Sequence, residues 1–270
     1  MKLAYLIIAH NEFEVLRRLV AALDDERNDI FIHFDKKVST LPEIRTERSG
    51  LHVLEDRVDV RWGTVSQIKA EYALFEAAGN TGVYSHYLLV SGTHFPLMGN
   101  DGIEAFLKMH DGLNLLPYME DANDYQVDMK MRRINVLPGS LLWRGALRVQ
   151  RLLGIRINKG GPFYNAGNWV CLSDGAVRYL IGRKKEILKK YRFSFCGDEF
   201  FVPTELMSSS LADSVVFSKE LLKFEIGRSN ARVYTAEDYD ELMASGCLFA
   251  RKLVGDHIDL IDMIYGSIKG

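Results

Sequence analysis

The sequence is poor in cysteine, and its cysteines form no recognisable pattern. Cys171, Cys196 and Cys247 are widely spaced, odd in number and in no CxxC pair. This spacing argues against a disulfide framework and against a structural zinc site, and it favours a reducing compartment. We therefore expect a cytoplasmic protein.

Long apolar runs and a one-sided charge are lacking as well. The apolar run at residues 3–9 is too short for a signal peptide or a membrane span, and no later run is longer. The net charge is -2 over 270 residues, so nothing draws the whole chain to nucleic acid or to a membrane. The length suits one domain of residues 1–270, and no nucleic-acid partner is expected.

Several sequence motifs of common enzyme classes are missing. The chain contains no GxxxxGK[ST], GxGxxG, HExxH or GxSxG, which removes the main signal for P-loop, dinucleotide-binding, zinc-protease and α/β-hydrolase proteins. One Asp-x-Asp, at Asp238-Tyr239-Asp240, is of the type that holds a divalent cation against a diphosphate. Its surroundings are typical of the first turn of a helix, where acids favour the helix dipole, so no metal is expected there.

Strand-like and helix-like segments alternate in the first half of the chain. The predicted strands are residues 3–9, 30–34, 87–90 and 113–116. The predicted helices start near Asn11 (with Glu14), Thr64 (with Gln67, through about Ala78) and Asn100 (to about His110). The first two starts resemble capping boxes. Such alternation predicts an α/β fold with a mainly parallel central sheet and helices on both faces.

Polar residues follow three of the predicted strands. Ligands of such sheets bind beyond the carboxyl ends of the strands, so these residues are the first candidates for a binding site. They are His10 and Asn11, Asp35, and Ser91 with Gly92. For Asn11 a helix cap, and for Asp35 a turn, are the alternative interpretations.

The middle of the chain is locally basic. Residues 129–159 contain eight Lys or Arg and no Asp or Glu. Within them, Arg144, Arg148 and Arg151 fall on one helical face, while leucines fall on another: Leu141, Leu142, Leu147, Leu152 and Leu153. A basic amphipathic helix can lie on an anionic membrane. A surface helix with a solvated basic face is the more frequent alternative.

Seven short motifs follow one another along the chain. They are LIIAHNE (6–12), IHFDKK (32–37), RWGTVSQ (61–67), LLVSGTHFPL (88–97), AGNWVCLS (166–173), GDEFFVPTEL (197–206) and LFARK (248–252). Their order and spacing resemble the core-2/I-branching β-1,6-N-acetylglucosaminyltransferase family and the related peptide xylosyltransferases, over Leu3 to about Asp256.

The resemblance implies a fold and a reaction. The implied fold is the GT-A-type nucleotide-sugar fold, with a nucleotide-binding half (1–117) and an acceptor and catalytic half (118–270). The implied reaction moves a sugar from a UDP-sugar with inversion and without a metal or other cofactor. Compared with animal members, the chain lacks an anchor, a stem and the many cysteines. A bacterial, cytoplasmic member acting on a glycan or glycolipid is therefore expected, with peripheral membrane contact as a hypothesis.

Inverting transfer needs a base that takes the proton of the acceptor hydroxyl. The resemblance assigns this role to Glu199 in Gly197-Asp198-Glu199. The alternative is that Asp198 and Glu199 only form the acidic first turn of a helix.

Without a metal, cations of the protein must stabilise the departing UDP. The resemblance assigns Lys252, which follows Arg251, to this role. A second cation, an arginine in the family, falls on Ser229 here, which leaves Arg228 and Arg232 as candidates.

The remaining candidates follow from the same resemblance. Trp62 and Gly63 are expected on the donor side, as is His94, which stands where the family usually has Asp. On the acceptor side the candidates are Trp169, Asp198, Arg132 and Arg133, while Glu120 and Lys130 lie in the same region without an assigned role. Two alternatives stay open: a binding protein of the same fold without turnover, and a metal-dependent transferase of another family that uses Asp238 and Asp240.

Overall fold

A computed structural model describes residues 1–120, 122–136, 138–225 and 231–269. Its strands are β1 (Leu3–Ala9), β2 (Asn28–Phe34), β3 (Gly50–Val53), β4 (His86–Ser91), β5 (Phe95–Pro96), β6 (Asn114–Pro117), β7 (Cys171–Ser173), β8 (Val215–Ser218), β9 (Leu222–Phe224) and β10 (Phe249–Arg251). Its α-helices are α1 (Phe13–Leu23), α2 (Ser66–Thr81), α3 (Asn100–Met109), α4 (Asp124–Met131), α5 (Leu141–Leu152), α6 (Asp174–Gly182), α7 (Lys184–Lys190), α8 (Asp198–Met207), α9 (Tyr239–Ala244) and α10 (Ile258–Lys269). Short 3-10 helices lie at Ala212–Ser214, Ala236–Asp238 and Gly255–His257.

The central sheet has the strand order β3-β2-β1-β4-β7-β6-β8. Strand β1 pairs in parallel with β2 and β4, β2 with β3, and β6 with β8. Strand β7 runs antiparallel to its neighbours β4 and β6. The sheet is therefore mainly parallel, which confirms the predicted α/β class, and all four predicted strands form within two residues of their expected bounds.

Helices cover both faces of this sheet because its central strands are apolar on both sides. Tyr5 and Ile7 of β1 belong to a core that includes residues of α1, α3 and α10. The alternate residues Ala4 and Leu6 belong to a second core, with residues of α2, α6 and α8. This two-sided burial is the reason for the continuous apolar run that predicted β1.

A small second sheet joins the C-terminal part of the chain to the end of β4. Strand β10 pairs antiparallel with β5 and parallel with β9. Next to these pairs, the Leu253 N–H donates to the Thr93 carbonyl at 3.0 Å, and the Leu97 N–H donates to the Leu248 carbonyl at 2.9 Å. These bonds place the residues after β10 beside the carboxyl end of β4.

The start of α1 differs from the prediction. Glu12, not Asn11, stands at the N-cap position, with φ 53°, and no side chain caps the helix. The Glu12 carboxylate instead accepts a hydrogen bond from the Gly255 N–H at 2.8 Å. The residue that precedes α1 is thus held by a tertiary contact with the C-terminal segment, which local sequence does not reveal.

The start of α2 is close to the expected capping box but shifted along the chain. The Thr64 hydroxyl accepts from the Ser66 N–H at 3.3 Å. The Gln67 side-chain oxygen accepts from the Gly63 N–H, one residue before the expected partner.

The basic segment forms α5 as its periodicity predicts. Ser140 caps the helix by accepting from the Trp143 N–H at 3.1 Å. Of the five leucines that the periodicity placed on the apolar face, only Leu147 is buried. No helix in the described ranges is both long enough and apolar enough to cross a membrane.

Candidate active site

The carboxyl ends of β1, β2 and β4 lie side by side. Ala9 is in register with Phe34, and Ile8 with Ser91. The Asp35 N–H donates to the Ala9 carbonyl at 2.9 Å, so His10 and Asp35 follow neighbouring strand ends. The polar residues that the sequence placed at one edge of the sheet do meet there.

Asp35 forms a turn at this edge. One carboxylate oxygen accepts from the Lys37 N–H at 2.9 Å, and the other lies 2.8 Å from the Lys37 ammonium. The Lys37 ammonium also lies 3.3 Å from Asp59. An open cleft of about 610 Å³ adjoins this turn, lined by Lys36, Lys37, Asp59, Val60 and Arg61. Asp35 therefore forms the turn that was its alternative interpretation, and its contact with a nucleoside stays a prediction.

Strand β10 delivers Arg251 and Lys252 to the same region. Desolvation lowers the pKa of His10 most, Asp35 raises it, and the charges of Lys252, Lys37 and Arg251 lower it further. The pairing of β10 with β5 and the Leu253–Thr93 hydrogen bond place Arg251 and Lys252 near the end of β4, and their charges therefore act on His10. The structure therefore brings the candidates from three separate motifs together, and Asn11 beside them is exposed.

The Arg251 guanidinium is held by aromatic rings. It lies 5.2 Å from the ring centroid of Trp169 and 5.6 Å from that of Phe224. Its Nε is buried and has no hydrogen-bond partner among the described residues. Burial lowers the pKa of Arg251. Cation–π contacts hold the guanidinium, and no carboxylate of the described residues forms an ion pair with it.

Arg228 and Arg232 are the two candidates for the second cation of the diphosphate site. Arg228 lies outside the described residues. Arg232 lies 2.8 Å from Glu225 and also contacts Asp238. A guanidinium already paired with two carboxylates is less suited than Arg251 to hold a diphosphate.

The Asp-x-Asp sequence is a helix start, as its surroundings predict. The Asp238 carboxylate accepts from the Thr235 N–H at 2.8 Å and contacts Arg232. Together with Thr235 it forms the capping box of the 3-10 helix that precedes α9. In the described ranges, no group of three or more His, Cys, Asp or Glu side chains is arranged to hold a metal ion.

His94 is fully buried, which contradicts the predicted contact with the donor. Its Nδ1 accepts from the Ser91 N–H at 3.0 Å and lies 2.7 Å from the Ser91 hydroxyl. The ring proton is therefore on Nε2. Burial, followed by the charge of Arg251, lowers the pKa of His94 well below its usual value. The neutral ring packs edge-on to Trp169, with 4.9 Å between the two ring centroids. His94 therefore supports the position of the Trp169 ring.

Ser91 and Gly92 also serve the packing of the strand end. The Ser91 hydroxyl lies 2.9 Å from the Thr93 hydroxyl, in addition to its contact with His94. A Cβ at Gly92 would lie 3.3 Å from the Ala9 Cβ. The absence of a side chain at Gly92 therefore allows the two strand ends to approach closely.

Glu199 lies in the first turn of α8 with its carboxylate partly exposed. Its side chain is 30% accessible, and Oε2 lies 2.7 Å from the Lys130 ammonium. The Lys130 ammonium also lies 5.5 Å from the ring centroid of Phe200. Glu199 therefore lies in the first turn of a helix and is still accessible to a ligand. The role of Lys130 could not be read from sequence because the pair is 69 residues apart.

Asp198 is buried, which contradicts its assignment to the acceptor. Its Oδ2 accepts from the Gln67 amide at 2.7 Å and from the Asn168 amide at 3.3 Å. Its Oδ1 has no partner among the described residues. Burial, and next the charge of Glu199, raise the pKa of Asp198 to about 7. Asp198 therefore links three of the sequence motifs, those that contain Gln67, Asn168 and Glu199, directly beside Glu199.

The Trp62-Gly63 turn packs against the loop that leads to Glu199. Gly63 has φ 72°, and a Cβ there would lie 2.5 Å from the Phe195 ring. The Cys196 N–H donates to the Gly63 carbonyl at 3.1 Å. Trp62 is 70% exposed, with its ring edge-on to Phe195. An exposed indole of this kind is suited to stack on a base or a sugar.

The other residues that were predicted to contact the acceptor lie in different surroundings. Arg133 is buried, and its guanidinium bonds Asp128 at 2.7 Å and the Ile155 carbonyl at 2.7 Å. It holds the α4–α5 connection, so its predicted contact with the acceptor is wrong. Arg132 is half-buried over Phe163 at 6.0 Å and stays a candidate. Trp169 lies with Arg251, on the side predicted for the diphosphate.

Residues 3–225 match the family model described as Core-2/I-Branching enzyme, and the chain belongs to this family. This confirms the resemblance drawn from the motifs. The matched segment ends before Arg251 and Lys252, so the family match does not cover the C-terminal motif.

Curated relatives include Xylosyltransferase 2 of Rattus norvegicus and of Canis lupus familiaris, each 23% identical over 231 residues. Xylosyltransferase 2 of Homo sapiens is 22% identical over the same length. Each alignment covers 80% of this chain and 26% of the relative, so the chain spans about a quarter of these relatives. The crystal structure of mouse xyloside xylosyltransferase 1 in its apo form has a TM-score of 0.41 and 8% identity, and the alignment covers 92% of this chain and 97% of that one.

We predict that Gly63→Ala destabilises the fold by more than the matched change Gly112→Ala. The two glycines have φ 72° and 73°, but a Cβ at Gly112 would meet nothing within 4 Å. The left-handed backbone penalises both variants alike, and the difference between them, about 1–3 kcal/mol, is the clash with Phe195. Urea unfolding measures both, and equal losses would contradict the packing described for the Trp62-Gly63 turn.

The Asp198 carboxyl also predicts a pH dependence of stability. Its folded pKa of about 7 lies above the usual 3.8, so the folded protein retains a proton that the unfolded chain loses. Stability from this group is fully present below about pH 4 and is lost as the pH rises through 7. Buried Glu71, whose pKa burial also raises, acts in the same direction.

We therefore expect the free energy of unfolding to fall less between about pH 4 and 7, the window between the unfolded and folded pKa values of this group, in Asp198→Asn than in the wild type. The amide oxygen can keep both hydrogen bonds that Oδ2 accepts. Asp111→Asn, at an exposed position, serves as the control and should follow the wild type. Parallel pH profiles of the free energy of unfolding for all three proteins would refute the assignment of this pH dependence to Asp198.

Proposed function

We propose that this chain is an inverting, metal-independent glycosyltransferase of the GT-A type, which moves a sugar from a UDP-sugar to the hydroxyl of a glycan or glycolipid. The observation that carries the proposal is the link between the two chemical parts of the site. Asn168 bonds the residue before Glu199, and the next residue, Trp169, stacks on Arg251. A base and a cation for the leaving group are thus held by one short segment.

The nucleotide half, residues 1–117, would supply the nucleoside site. His10 and Asp35 lie at the strand ends, and the cleft beside Lys37 and Arg61 is open. The cleft has a volume of about 610 Å³ and is widely open to solvent. Exposed Trp62 follows Arg61, which lines this cleft, and offers a stacking surface. The diphosphate would then face Arg251 and Lys252.

These positions support the following reaction. The acceptor oxygen forms a bond to the anomeric carbon while its proton passes to the Glu199 carboxylate. The bond from that carbon to the diphosphate oxygen breaks, and its electron pair leaves with UDP. Attack from the side opposite the leaving group inverts the anomeric centre. Arg251 and Lys252 stabilise the charge that develops on UDP, and a well-placed donor of this kind contributes about 3–4 kcal/mol.

Lys130 has a positioning role in this scheme. Its ammonium, 2.7 Å from Glu199, fixes the direction of the carboxylate before the acceptor arrives. The acceptor hydroxyl then replaces one contact of the carboxylate with its own hydrogen bond.

The sugar is proposed to be GlcNAc, with xylose second. The general resemblance to branching enzymes supports GlcNAc, while the names of the curated relatives support xylose. Both donors therefore belong in the test, and the acceptor half, residues 118–270, would set the linkage.

The test is transfer from UDP-GlcNAc and from UDP-xylose to a panel of glycan acceptors, with EDTA present, in the wild type and in Glu199→Gln. We expect transfer with one donor by the wild type and a kcat lower by about 10²–10⁴-fold in the variant, because the amide cannot accept the proton. The donor KM should change little, since Glu199 does not bind UDP. Glu47→Gln, at an exposed position in the β2–β3 connection, is the matched control.

Undiminished transfer by Glu199→Gln would contradict the assignment of the base. Dependence of wild-type transfer on an added divalent cation would contradict metal independence. Binding of a donor without transfer to any acceptor would favour a binding protein instead.

A further inference from the structure

Helix α5 is attached to the protein by a narrow face. Leu147 and Gln150 are buried, and Trp143 is half-buried. The Trp143 ring lies 5.2 Å from the Phe195 ring, and its indole N–H donates to the Asn135 side-chain oxygen at 2.8 Å. These contacts fix the helix firmly but cover only one side of it.

A second face of α5 is apolar and exposed. Leu141 is 84% exposed, Leu142 80%, Leu152 86% and Leu153 68%. At about 100° per residue, these four leucines occupy one sector of the helix, about 120° wide, that also contains half-exposed Val149. Contiguous exposed leucines of this kind mark an interaction site rather than ordinary surface.

The third face of α5 is basic. Arg144, Arg148 and Arg151 are exposed, and about 100° per residue places them between the buried face and the leucines. The surrounding residues 129–159 contain no Asp or Glu, so nothing within the segment neutralises this charge. The helix thus presents an apolar sector bordered along its length by positive charge.

We propose that α5 binds the surface of an anionic phospholipid membrane. The helix would lie in the plane of the interface, with its leucines in the boundary of the acyl chains and its arginines among the phosphate groups. A second copy of this chain is a poorer occupant, because a symmetric contact would bring the same arginines together without acids of the segment to offset them. The proposal does not depend on the proposed transferase reaction.

The test is co-sedimentation with vesicles of phosphatidylcholine alone and with one-third phosphatidylglycerol. The wild type should bind only the anionic vesicles, and less as salt rises, because screening weakens the attraction of the arginines. Leu142→Gln/Leu152→Gln should weaken binding at least tenfold. Val83→Gln/Met109→Gln removes two apolar residues that are 70% and 75% exposed elsewhere, and it should bind like the wild type.

Arg144→Gln/Arg148→Gln should likewise weaken binding to anionic vesicles and reduce its dependence on salt. Circular dichroism of each variant verifies that the fold is kept. Failure of the folded wild type to bind anionic vesicles at low salt would overturn the proposal. So would equal binding by the leucine variant, or a wild-type dimer in light scattering that the leucine variant abolishes while vesicle binding is absent.

Discussion

The buried carboxylate of Asp198 is the contact on which the arrangement of the site depends. It accepts hydrogen bonds from Gln67, 131 residues earlier, and from Asn168, 30 residues earlier. The first bond holds α2 and the Trp62-Gly63 turn against the start of α8. The second holds the segment whose next residue stacks on Arg251. One acidic side chain therefore fixes the positions of both the proposed base and the proposed leaving-group cation.

Such a carboxylate is unfavourable to bury, and its raised pKa reflects that burial. The hydrogen bonds compensate only Oδ2, since Oδ1 has no partner among the described residues. The positive φ of Cys196, 51°, lies two residues away. An unfavourable backbone conformation and an unfavourably buried carboxyl group thus lie directly before Glu199. An enzyme benefits from a fixed geometry at such a position. This is the physical reason to regard the loop as functional rather than as a simple helix start.

Much of the fold could be predicted from local sequence. Apolar runs locate β1, β2, β4 and β6, and polar residues after them locate the binding edge. The same logic fails where long-range packing decides. His94 and Arg133 are polar residues that sequence placed in contact with ligands, yet burial makes both structural. Nothing local distinguishes the stacked Arg251 from the acid-paired Arg232, and the exposure of the leucines in α5 depends on which narrow face meets Phe195.

The central claim is a nucleotide site that uses protein cations, and calorimetric titration with UDP in EDTA tests it most directly. The wild type should bind UDP in the micromolar range. Lys252→Ala should weaken that binding at least tenfold, whereas Lys185→Ala, at an exposed position on α7, should leave it unchanged. Absence of UDP binding by the wild type, or equal binding by Lys252→Ala, would contradict the account.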